Sequence, residues 1–243
     1  MSTCPNCGGT LMNLAGRAYC SKCGKTFSLN EQSSQVTKSY NVKEMSGDTL
    51  FDKVRHGVVE LETSSARGTG FLISQRYVLT CAHCVYDEDM RVVSSINVKF
   101  ANNSVIKGKV KYVGDDARHL STQIDLAVIE LQSSIPLNSP ILRFADYTTV
   151  RNGQTIYAIG NALGMGICIT KGIVSDRLRK GPDGRNHMLI DCNAFHGNSG
   201  CPIFNDDGLV ISILDMGFDQ YDNGVNYAIP ASEATAFLRK CNL

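Results

Sequence analysis

From residue 48 to the carboxyl terminus, apolar residues recur in short runs broken by turn residues, a pattern that predicts an all-β body. Val59 and Leu61 alternate with Glu60 and Glu62, and Lys107, Lys109 and Lys111 alternate with Gly108, Val110 and Tyr112, so each run has one wet face. Further strands are predicted at Phe71 to Ser74, Tyr77 to Cys81, Thr155 to Gly160, Ile167 to Ser175, His187 to Cys192 and Leu209 to Leu214. Leu126 to Ile129 is apolar on both faces, as in a strand buried between layers. This number of strands suits paired β-barrels. Beyond Pro230 the period changes: Ala234, Phe237, Leu238 and Cys241 fall on one helical stripe, with Ser232 placed to cap it.

Residues 30–47 are polar and lack either periodicity, so they read as a linker between residues 1–29 and the body at 48–243. The first segment carries Cys4-Pro-Asn-Cys7-Gly and Cys20-Ser-Lys-Cys23-Gly, the spacing of a zinc ribbon. Each pair sets two thiolates in one tight turn, and Gly8 and Gly24 permit the left-handed backbone that turns amides toward the sulfurs. Four thiolates close a tetrahedral shell around one Zn2+ and leave no open position, so the ion is expected to be structural. About thirty residues fold poorly on apolar burial alone, whereas structural zinc supplies roughly 10 to 16 kcal/mol of apparent binding free energy.

The chain has 243 residues, enough for one sizeable core or two packed half-cores with a small appendage. With 43% hydrophobic residues, 19% charged residues and a net charge of +1, it has no strong overall field toward nucleic acid or an anionic membrane. No basic segment leads into an apolar stretch at the amino terminus, and no membrane-spanning run follows. The metal-type cysteine spacing favours a reducing compartment over a disulfide framework, which makes a cytoplasmic location the expectation.

Three separated residues have complementary chemistry. A serine hydroxyl attacks well only when a neutral imidazole takes its proton, and the imidazole must be held in one tautomer by a shielded carboxylate. Ser199 lies in His-Gly-Asn-Ser-Gly-Cys-Pro, His83 in Thr-Cys-Ala-His-Cys-Val, and Asp125 opens the apolar stretch just described. Asp115 and Asp116 compete for the third role but follow Gly114 in a polar stretch. The backbone around Gly197, Asn198 and Ser199 is the candidate oxyanion hole, with the amides of Gly197 and Ser199 as donors and Asn198 shaping the turn.

The order His, Asp, Ser, together with Gly-Thr-Gly-Phe-Leu-Ile-Ser (68–74), Val-Leu-Thr-Cys-Ala-His-Cys-Val (78–85), Asp-Leu-Ala-Val-Ile (125–129), Ala-Ile-Gly-Asn-Ala-Leu-Gly (158–164), Gly-Ile-Val-Ser (172–175), Gly-Asn-Ser-Gly-Cys-Pro (197–202) and Asn-Tyr-Ala-Ile-Pro (226–230), resembles the HtrA (Deg) branch of the trypsin-like serine proteases. That resemblance implies two six-stranded antiparallel barrels of the chymotrypsin type with a C-terminal helix. It also implies peptide-bond hydrolysis through an acyl-enzyme, without the PDZ domain and export signal that many members carry. Cys201 stands where members usually have a second glycine. Asn198 replaces the aspartate that pairs with a new amino terminus in digestive enzymes, so ordering of loops near 161–166 and 176–187 is the expected control. Cys84 occupies the place of a half-cystine in secreted relatives, but no cysteine lies in the Gly68 to Phe71 segment to pair with it, which implies a free buried thiol. A second metal site from Cys81, His83 and Cys84 lacks a completing pair, and Cys168, Cys192, Cys201 and Cys241 read as small apolar residues.

The same alignment implies that the specificity pocket is walled by Asn193, Ala194, Phe195 and His196 and by Ile213, Leu214 and Asp215, with a small or medium apolar side chain preferred before the scissile bond. The partner is then a protein or peptide substrate, with the ribbon docking a substrate or regulator. Arg17, Lys22 and Lys25 with Tyr19 and Phe27 leave nucleic-acid binding as the lesser role, and no membrane is implied. Two other classes stay open: a non-enzymatic protease-like scaffold, and a protease gated by nucleic acid on the ribbon.

Overall fold

In the computed structural model the described residues are 3–4, 6–14, 17–20, 22–23, 26–28, 49–64, 66–114, 124–181, 184–217 and 225–243. The linker expectation for residues 30–47, and the roles given to Gly24, Asp115 and Asp116, fall outside them. The chain divides into two compact units, Met1–Ser46 and Gly47–Leu243.

The first unit is a three-stranded antiparallel sheet of β1 (Leu11–Leu14), β2 (Arg17–Cys20) and β3 (Thr26–Ser28). Cys4 and Cys7 precede β1 in a turn where Gly8 has φ +69, while Cys20 ends β2 and Cys23 lies in the following turn.

The second unit opens with α1 (Leu50–Val54), whose first turn is closed by a reciprocal capping box between Thr49 and Asp52. Two closed barrels of six antiparallel strands follow, as the sequence predicts. The first runs β4 (Val58–Glu62), β5 (Arg67–Leu72), β6 (Tyr77–Thr80), β9 (Ala127–Leu131), β8 (Val105–Val113) and β7 (Ile96–Lys99). The second runs β10 (Thr155–Asn161), β11 (Ile167–Lys180), β12 (Asn186–Asp191), β15 (Val225–Pro230), β14 (Val210–Gly217) and β13 (Pro202–Phe204). In β8 the alternation works as read, with Lys107, Lys109 and Lys111 exposed and Ile106 and Gly108 inside. Closure leaves neither barrel with a free sheet edge.

Each barrel has its own core, and a third core joins them. Val58, Phe71, Leu79, Leu126 and Val128 from the first barrel pack in one cluster with Ile159, Phe204, Ile213 and Ile229 from the second. The C-terminal helix α2 (Ala231–Lys240) adds Ala234, Phe237 and Leu238 to this seam. The helix starts two residues earlier than expected. Pro230, fixed at φ −58 and ψ 145, is its N-cap and has no side-chain cap bond, while Ser232 sits inside the first turn. Glu233 near its start and Arg239 and Lys240 near its end suit the helix dipole.

Candidate active site

His83 lies in a helical turn at Ala82–Val85, directly after β6, and Asp125 lies just before β9, which pairs with β6. That pairing brings the two side chains together. His83 Nδ1 donates to Asp125 Oδ2 at 2.6 Å, and the His83 backbone N–H donates to Asp125 Oδ1 at 2.9 Å. Both carboxylate oxygens are thereby bound by one residue, which orients the carboxylate and holds Nδ1 of the ring against it. The Asp125 side chain is 12% exposed and that of His83 45%.

Burial disfavours both charges, but the bond between the two groups prevails. It holds the imidazole well above its ordinary value and the carboxyl well below its own. His83 is therefore charged in the resting site over a wider range than free histidine, and it must lose that proton before it can act as a base.

Ser199 comes from the second barrel, in the turn ahead of β13, and lines one cleft with His83. The cleft has a volume of about 530 Å³ and is also lined by Arg67, Cys84, Leu163, His196 and Gly197. The turn depends on two glycines. Gly197 has φ +93, and a Cβ there would sit 2.4 Å from the Asn161 carbonyl oxygen; Gly200 has φ +83, and a Cβ there would sit 2.2 Å from the Thr69 carbonyl oxygen. Among the described residues, the amides of Gly197 and Ser199 donate to no backbone carbonyl, whereas the Asn198 amide donates to the Phe195 carbonyl at 2.9 Å. Asn198 thus braces the turn, and the two flanking amides remain as donors for an anionic oxygen. Cys201 is fully buried and tolerated because Gly160 faces it.

The wall residues named from sequence are divided between surface and core. Asn193, Phe195 and His196 are exposed and Ala194 is half-buried; of the four only His196 lines this cleft. Ile213 and Leu214 point into the cores, and Asp215, 1% exposed, is turned inward to accept a hydrogen bond from His187 Nε2 at 3.0 Å. The loop at 161–166 is tied to the turn carrying Ser199 by the Leu163 amide, which donates to the His196 carbonyl, and is closed on itself by the Gly166 amide donating to Asn161 Oδ1. The Cys84 thiol faces Gly68, has no disulfide, and lies 3.6 Å from the Ser199 carbonyl oxygen.

Sequence reasoning missed Thr69. It is fully buried, its Oγ1 donates to the Gly197 carbonyl at 2.6 Å and accepts from the Asn161 amide at 2.9 Å, and its own amide donates to the Ser199 carbonyl at 2.9 Å. A hydroxyl inside Gly-Thr-Gly-Phe, amid residues otherwise destined for a core, was the available signal.

In the first unit, Cys4, Cys7, Cys20 and Cys23 bring their sulfurs within 4.8 Å of one another, with Cys4 to Cys23 at 3.7 Å and Cys7 to Cys20 at 3.5 Å. Four sulfurs about 2.3 Å from a central ion lie about 3.8 Å apart at tetrahedral angles, so the cluster has the dimensions of a zinc shell.

The description "trypsin-like peptidase domain" fits residues 68–213. The chain is 31% identical over 182 residues to a probable periplasmic serine endoprotease DegP-like of Rickettsia conorii, covering 71% of this chain and 33% of that protein. To the serine endoprotease DegS of Salmonella typhimurium it is 30% identical, covering 76% and 50%. Among solved structures, a serine endoprotease from Yersinia pestis superimposes with a TM-score of 0.63 at 26% identity, covering 79% of this chain and 64% of that one. The chain thus spans a third to a half of the length of these curated relatives.

Two outcomes follow from this geometry. Thr69→Val leaves the Gly197 carbonyl and the Asn161 amide unpaired in a buried site, so urea unfolding should register a loss of about 1 to 3 kcal/mol. Any peptidase turnover should fall as well; full stability and rate would refute the bracing role. If His83 is the base, kcat/KM must rise with pH as the imidazolium deprotonates, with its midpoint above the ordinary histidine value of about 6.5. A midpoint at or below that value would contradict the Asp125 contact.

Proposed function

Because the chain belongs to the trypsin-like peptidase family, we propose that it is a serine endopeptidase in which Ser199 attacks the scissile carbonyl, His83 accepts its proton, and Asp125 orients His83. One observation carries the reading: the 2.6 Å bond between His83 Nδ1 and Asp125 Oδ2 in a ring that lines the same cleft as Ser199. As the Ser199 Oγ–carbon bond forms, the carbonyl π electrons move to oxygen, and the Gly197 and Ser199 amides are available to receive the anion. His83 then returns its proton to the departing amine, leaving an acyl-enzyme that water hydrolyses by the same steps in reverse order of partners. His196 and Arg67 line the cleft and are its first candidates for contact with substrate.

The first unit is the other half of the proposal. Cys4, Cys7, Cys20 and Cys23 would hold one Zn2+, which supplies folding energy to a small three-stranded sheet and no step of the reaction. A closed shell of four thiolates suits a docking module for a substrate or a regulatory protein, and thiolates kept reduced suit a cytoplasmic setting. Among the described residues no helix is long and apolar enough to cross a membrane.

A serine-directed fluorophosphonate should label Ser199, and casein digestion should disappear with Ser199→Ala. Labelling elsewhere, or equal digestion by the variant, would remove the assignment. Elemental analysis should find one zinc per chain, and chelation should expose the four thiols to a thiol reagent while fluorophosphonate labelling persists. Metal-free protein with protected thiols would exclude the ribbon.

A further inference from the structure

Behind the Asp125 carboxylate lies a second one with no role in the reaction as described. Asp215, on β14, is 1% exposed. Its Oδ2 is bound by His187 Nε2 at 3.0 Å, and His187, on β12, is itself 1% exposed. Its Oδ1 is buried and accepts no hydrogen bond among the described residues. The carboxylates of Asp125 and Asp215, a ring nitrogen of His83 and the sulfur of Cys81 all lie within 4.8 Å of one another.

Two adjacent buried carboxylates ionise together only at a large penalty; His83 offsets the charge of Asp125, and a proton or a cation between the two groups would offset that of Asp215. A metal fits poorly. His83 Nδ1 and Asp125 Oδ2 are already 2.6 Å apart, so an ion about 2.1 Å from each would subtend only about 76°, far from tetrahedral. A proton on Asp215 Oδ1 suits the two carboxyl groups: Oδ1–H donates to Asp125, Oδ2 accepts from His187 Nε2, and both oxygens of Asp125 still accept from His83, while His187 Nδ1 lies 3.3 Å from the Arg185 carbonyl oxygen.

We propose that Asp125 and Asp215 share one proton, and that Asp215, pinned by His187, is a positioning residue that holds the Asp125 carboxylate toward His83. The inference rests on the serine-endopeptidase reading for its effect on turnover but not for the proton itself. The groups facing the pair are Cys81 just after β6, with the Cys84 and Cys201 thiols near it, His83, and His187 on β12 with the Tyr227 ring of β15 packed 5.3 Å away. Burial raises the Asp215 carboxyl, the bond from His187 opposes this, and contact with Asp125 raises it further. The Cys81 thiol, also raised by burial, donates to the Leu214 carbonyl at 3.2 Å and adds no charge.

The test uses the full chain with 13C-labelled aspartate, together with Asp215→Asn and Asp215→Leu. Asn can donate to Asp125 as the protonated acid would; Leu cannot. The carboxyl carbon of Asp215 should titrate at least two pH units above the ordinary aspartate value of about 3.9. Asp215→Asn should keep kcat within about threefold, while Asp215→Leu should lower it tenfold or more with KM nearly unchanged. Ordinary titration of Asp215, equal impairment of both variants, or an unimpaired Leu variant would overturn the inference. If Asp215→Leu does not fold, the titration and the Asn variant still decide. Wild-type protein that fails to label with fluorophosphonate would remove the proposed function, whereas labelled wild type with an ordinary Asp215 titration would sink this inference alone.

Discussion

The hydrogen bonds by which Thr69 of the first barrel grips Gly197 and Ser199 of the second fix the distance across which any chemistry here takes place. His83 and Asp125 belong to one barrel and Ser199 to the other, so neither barrel alone carries all three residues proposed for the reaction. The apolar seam built from Phe71, Leu126, Phe204, Ile213 and Phe237 brings the halves together without direction. The three bonds at Thr69 supply the direction, because two end on the turn that carries Gly197 and Ser199 and the third on the Asn161 amide at the end of β10.

A second constraint is electrostatic. Burying the Asp125 carboxylate is costly, and the structure offsets that cost with two donors from His83. The same burial admits no second free charge nearby, so Asp215 must be neutralised, and His187 is the donor that holds its far oxygen. The site is therefore a run of hydrogen-bonded groups reaching from the cleft into the second barrel, in which the position of one proton controls the orientation of the next group.

Most strands were legible because one wet face and one dry face leave an alternating record, as in β8. Those that left no clear record, β7, β13 and β15, are short or buried along most of their length, so alternation and length say little there. The cap of α2 was misplaced because Pro230 sets the backbone for helix entry without contributing a side-chain acceptor. His83, Asp125 and Ser199 could be named because their chemistry requires particular residue types in particular settings. Asp215 was read as a wall residue by alignment with the resembling family, but the irregular pairing between Leu214 and Met216 accompanies a carboxylate turned into the core, a rotation that no linear spacing announces. The partners of Thr69 could not be named for a similar reason, since they lie 92 and 128 residues away, although its hydroxyl amid core residues marked it.

The most direct test of the account is to quench a turning-over reaction with acid and locate the trapped acyl group by peptide mapping. The account predicts a single acyl group on Ser199. Acyl transfer to a thiol such as Cys84 or Cys168, or substrate cleavage with no covalent adduct at any residue, would contradict it.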